Sequence, residues 1–267
     1  MSIKEVLKSV EHDSTLYAGM LAYLGDTEAE DYLHSCVTKG KIYRTPEAAE
    51  RDANYTNCSS RDMFMGVLLG ANFGTILSVI NYLGQNKGRL FPDVFATDNR
   101  NKVGVIGWGQ LWVALGVLPF FDKLSLVKEI GAIKYIGHML LGRLLLGLVL
   151  VIEALTVYKP YQINLVYCAL MFYRKHGVFG FWDKLTMKVL YNVRLKDDGV
   201  MYYLLGNKHK VLTTMRNVEH NCEQTKLNVH GPAFGWPPGC EPYYFAHIYP
   251  SELYVRWMKL ASKQINK

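Results

Sequence analysis

The sequence predicts an all-α protein: a helical-hairpin array or (α/α) toroid-like arrangement, in a single domain over residues 1–267. Three observations predict it. Apolar residues recur at helical spacing along most of the chain. No stretch sustains period-two alternation, and no strand–helix–strand rhythm appears. Short turns alternate with long polar loops, as in paired helices stacked around one core. The 267 residues are 50% hydrophobic and 20% charged, which excludes a disordered chain, and 23 glycines with 9 prolines exclude a collagen-like one.

The elements follow in order. Ser14 to Leu24 carries Leu16, Met20, Leu21 and Leu24 on one face, with Asp13 positioned to cap its start. Gly25-Asp26 breaks it, and Thr27 to Val37 forms the return helix of a short hairpin with Leu33 and Val37 inward. Lys39 to Cys58 is polar and reads as a loop. Ser60 caps a helix with Asp62 in its first turn and Met65, Leu68, Leu69, Phe73, Ile76 and Ile80 as its buried stripe, ending near Leu83-Gly84.

Residues 85–102 form a second polar loop. Helical pattern resumes from Val105 to Leu118 and again from Leu124 to Val157. Pro160 opens a helix to Tyr173, Trp182 to Val193 another, and Val200 to Val218 holds shorter helical stretches. His220 to Pro250 has five of the prolines and many aromatics, which argue for an ordered functional segment. Ser251 to Gln264 closes the chain as an amphipathic helix.

Charge and cysteines bound the function. The net charge of +7 fits an anionic partner, but no run of five like charges provides a basic arm, so nucleic-acid binding is not expected. Five widely spaced cysteines, without a C-x-x-C, predict buried reduced thiols and neither a zinc nor a redox site. No metal and no cofactor is expected, since phosphate-loop, H-E-x-x-H and G-x-S-x-G patterns are missing from the sequence. The first residues lack a signal-peptide core, so the expected location is cytoplasmic or virion-associated.

Two uncharged windows, Phe64 to Asn86 and Val103 to Phe121, have the length of membrane spans. Their Asn, Gln and Gly content, mixed-sign flanks and a mean hydropathy of +0.02 favour a soluble chain over a polytopic membrane protein. Gly66, Gly70 and Gly74 repeat at the four-residue spacing that lets helices approach closely.

Candidate chemistry gathers at inferred helix starts and long loops, on what would be one rim. Asp13, Asp62 and Asp98 are the candidate catalytic carboxylates, with Asp62 first, because glycoside cleavage needs one carboxyl as acid and another as base or nucleophile. Arg44, Arg61 and Arg100 offer planar donor pairs to acidic groups, and Trp236, His247 and Tyr249 offer surfaces to line a cleft. Each has a plainer reading: Asp13 and Asp62 as helix-end partners, Asp98 as a turn residue, Arg61 as a neighbour's ion-pair partner.

The order Asp13-Ser14-Thr15-Leu16-Tyr17, then Arg44-Thr45-Pro46, then Ser59-Ser60-Arg61-Asp62-Met63-Phe64-Met65-Gly66 resembles helical-hairpin toroids of the carbohydrate-active kind. The closing Phe245-Ala246-His247-Ile248-Tyr249, followed by a helix with Arg256-Trp257-Met258, is similar in kind. The resemblance implies a polar cluster at a helix start facing a central cleft, an acidic or neutral glycan as partner, and glycoside hydrolase or polysaccharide lyase activity. A non-enzymatic structural or interaction protein, such as a viral particle component, is the alternative that the lack of a strong catalytic motif favours.

Overall fold

The computed structural model describes residues 2–9, 14–51, 61–86, 89–90, 148, 151–152, 154–155, 160–176, 180–193, 198–222 and 251–265. The described chain is mostly helical: α1 (Ile3–Ser9), α2 (Ser14–Tyr23), α3 (Thr27–Ser35), α4 (Pro46–Glu50), α5 (Arg61–Gly70), α6 (Phe73–Gln85), α7 (Pro160–Lys175), α8 (Phe181–Val193), α9 (Gly199–Leu204), α10 (Lys208–Cys222) and α11 (Ser251–Gln264). Between α3 and α4, β1 (Val37–Thr38) and β2 (Lys41–Ile42) pair antiparallel, with Val37 opposite Ile42. The expected loop after residue 39 thus contains a strand and a helical turn. Lys39 and Gly40 both take positive φ at the hairpin tip, and Thr45 caps Pro46–Glu50 through Ala48 N.

The helix expected from Ser60 to Gly84 is two helices. Asn72 accepts from Thr75 N and caps a fresh start, so Ala71-Asn72 turns the chain. Phe73, expected in the buried stripe, is therefore 37% exposed at the new helix's first residue. The predicted elements over 105–118 and 124–147, and the aromatic segment of 223–250, lie outside the described residues.

Two hairpins share one turn. Leu24-Gly25-Asp26 and Leu205-Gly206-Asn207 each place glycine at positive φ, with Gly25 N donating to Ala22 O and Asp26 N to Leu21 O, and Gly206 N to Tyr203 O and Asn207 N to Tyr202 O. These paired bonds close the ending helix. The third residue then caps the next: Asp26 accepts from Ala29 N and Asn207 from Lys210 N.

The main helices share a direction. Gly66 of α5 lies against Thr15 and Leu16 of α2, and Gly70 against Gly19, so both chains advance together. Tyr167 of α7 neighbours Asp198 before α9, while Arg174 bonds the carbonyls of Tyr203 and Leu204 at its end, so α7 and α9 are also parallel. Tyr254 of α11 meets Gly199 and Gln264 meets Tyr203, extending the same sense to α11. Lys175 reaches Leu69 O, which sets the ends of α5 and α7 side by side. Residues 63–71 and 166–173 are buried without interruption, as are 14–21. Helices buried all round belong at the centre of a molecule, and α5 supplies the first half of the uncharged window that starts at Phe64. Among the described residues, no helix is long and apolar enough to cross a membrane.

Candidate functional site

The parallel packing of α2 and α5 gathers their starts at one end. Glycine makes this possible: a Cβ on Gly19 would lie 2.0 Å from Gly66 O, and one on Gly66 would lie 2.5 Å from the Leu16 Cα. Gly74, the third member of the spacing, meets only the Asn72 side chain at 3.6 Å and plays no part in the contact. The buried Ser14 hydroxyl at the start of α2 donates to the Arg44 carbonyl. Arg44 therefore lies beside the first turn of α2.

Arg61 and Asp62 are the first two residues of α5, at that same end. Three of the residues expected to form a site, Arg44, Arg61 and Asp62, are thus brought to one end by the backbone. Asp13 precedes Ser14 in sequence but lies outside the described residues, as do Asp98, Arg100, Trp236, His247 and Tyr249. Two parallel helix starts bring the positive ends of two helix dipoles to one end, a setting that favours an anionic group nearby.

The short turns at residues 24–26, 71–72 and 205–207 follow the ends of α2, α5 and α9. The connections that lead back to the starts of α5, α7 and α11 run through residues 36–60, 86–159 and 223–250.

The other end is knitted together. Arg174 caps α9 through two carbonyls at 3.0 and 3.1 Å and stands 4.9 Å over the Tyr203 ring. Lys175 donates to Leu69 O at 2.7 Å, and burial lowers its pKa against the pull of Glu30. Cations suit helix C-termini, where carbonyls lack partners. Tyr203 also bonds Tyr23 and Gln264 and meets Trp257 edge-on. Arg256 of α11 clasps Asp26 and Glu28 at the start of α3. His34 Nδ1 lies 2.7 Å from Thr75 Oγ1, with Glu30 3.7 Å from Nε2, which ties α3 to α6.

Sequence reasoning passed over Asp198. It is fully buried before α9, where Oδ1 accepts from Val200 N at 2.7 Å and Met201 N at 3.2 Å. Burial raises its pKa to about 6, against the lowering effect of those amides and of the Tyr167 hydroxyl. Beside it, Gly199 N donates to the Tyr254 hydroxyl. The signal available was Asp198-Gly199 ahead of an apolar run, a capping pattern.

Cys36 and Cys168 are buried cysteines outside any disulfide, and burial pushes the Cys36 thiol up. Among the described residues, no cluster of three His, Cys, Asp or Glu side chains is arranged to hold a metal. No protein-family model, no curated protein and no solved structure matches this chain. The backbone sets the start of α5, with Arg61 and Asp62, at the same end as Arg44, which lies beside the start of α2.

Proposed function

We propose that this chain is a toroid-like helical protein that binds or cleaves an acidic or neutral glycan at the end where α2 and α5 begin. One observation carries the reading: α2 and α5 run parallel in backbone contact, so the helix start bearing Arg61 and Asp62 adjoins the one beside Arg44. Asp62 is the acid or base in this reading, with Asp13 or Asp98 as its partner. Arg44, Arg61 and Arg100 orient acidic groups of the sugar, and Trp236, His247 and Tyr249 line the cleft. Hydrolysis then follows the two-carboxylate scheme, one carboxyl protonating the leaving oxygen while the other activates water or attacks the sugar.

The test is a panel of acidic and neutral polysaccharides, read as reducing-end release and as absorbance of unsaturated products. The expected result is turnover of one class, falling about 100-fold or more in Asp62→Asn. Unchanged turnover in that variant overturns the role of Asp62. If the folded protein neither binds nor turns over any member of the panel, the glycan reading fails. The knitted end, where Arg174, Lys175 and Arg256 all serve to join helices, favours the second reading of a rigid structural or interaction protein.

A further inference from the structure

The first turn of α9 holds a carboxyl group in an unusual setting. Asp198 has no exposed surface, and one oxygen accepts two backbone amides. The other oxygen is buried, and the Tyr167 hydroxyl of α7 acts on the carboxyl. One residue on, the Tyr254 hydroxyl of α11 accepts from Gly199 N at 2.9 Å, and Met258 packs where a Gly199 side chain would stand. Three helices therefore meet on one Asp-Gly step.

The charged surroundings are sparse. From the other two helices packed on α9, Tyr191 of α8 meets the Tyr202 ring, and Lys210 of α10 sits 4.8 Å over that same ring. Among the described residues, Tyr167 is the one side chain acting on the carboxyl, and no cation compensates it. A buried carboxylate without a cation is held in place most firmly when it carries a proton.

We infer that Asp198, with Tyr167 and Tyr254, forms a proton-sensitive lock that fixes the start of α9 between α7 and α11.

The sign follows from linkage. The carboxyl titrates near 3.8 when solvated and near 6 in the fold. The folded state thus binds the extra proton between those values. The stabilisation is fully present below the lower value and is lost as pH rises through the upper one. Ionisation puts a bare charge in the core, which relaxes when the first turn of α9 opens to water.

Three measurements on the full chain test this. Carbon NMR of the Asp198 carboxyl should titrate near pH 6 in the native protein; a midpoint near the ordinary value overturns the lock. Opening of the Val200 and Met201 amides, read by hydrogen exchange and corrected for intrinsic rates, should rise up to about tenfold per pH unit across that window, as one proton is released. Asp198→Asn keeps the acceptor oxygen and should remove this slope; an identical slope in the variant overturns the lock. Where that variant fails to fold, Tyr167→Phe withdraws a group that favours the charged form, and should move the carboxyl midpoint upward; an unmoved midpoint overturns the assignment.

Discussion

Gly19 and Gly66 bring two helix backbones into direct contact, with the carbonyl oxygen of Gly66 only 2.0 Å from where a Gly19 Cβ would stand. The obstructing atoms are backbone, so no rotamer change can make room. Gly19→Ala and Gly66→Ala should each destabilise the fold by about 1–3 kcal/mol or more, as overpacking does. Gly74→Ala, which would meet only the Asn72 side chain at ordinary contact distance in the first turn of α6, should leave stability within about 0.5 kcal/mol of native or raise it slightly. Urea unfolding of the three variants checks the contrast.

Gly25 and Gly206 have nothing within 4 Å of a would-be Cβ, yet both sit at positive φ. Their requirement is conformational alone. Alanine at either should cost about 1–2 kcal/mol, the penalty for a left-handed L-residue. Asparagine tolerates that region better and should recover part of the loss, which thermal melts of the paired variants would reveal.

Asp26 has only 3% of its side chain exposed, and Arg256 is its cationic partner across α3 and α11. Removing the arginine leaves a buried carboxylate with one remaining bond, from Ala29 N. Arg256→Ala should therefore destabilise by about 3 kcal/mol or more. Glu28→Ala removes a partner that is 52% exposed and should cost under about 1 kcal/mol. A double-mutant cycle of Arg256 with Asp26, measured by urea unfolding, should give strong coupling.

Thr15 is fully buried in the first turn of α2 with its hydroxyl unbonded. Thr15→Val keeps the shape and removes the polar atom, so stability should stay level or rise by about 1 kcal/mol. A loss of more than that, in calorimetry of the variant, contradicts a purely structural hydroxyl at this position.

Much of the helical content was legible because burial imposes a period. The final helix, Ser251–Gln264, begins and ends where the sequence indicates, since its apolar stripe is single and its flanks are polar. The break at Asn72 was hidden because the residues on both sides are apolar, and periodicity alone does not register a capping side chain inside such a run. The strand pair at Val37–Thr38 and Lys41–Ile42 was hidden for a different reason: two residues are too few to display alternation.

What the sequence determined by itself is local. It set which segments are helical, where Gly25 and Asp26 turn the chain, and which residue types stand at the start of α5, because these depend on neighbours within one or two turns. Tertiary structure alone decided that α2 and α5 run parallel, that Arg44 comes to the start of α2, that Arg256 serves Asp26, and that Asp198 is sealed from water. Each of those is a meeting of residues far apart in the chain. Whether a carboxyl is a solvated turn residue or a buried proton carrier is decided by the dielectric that distant helices build around it.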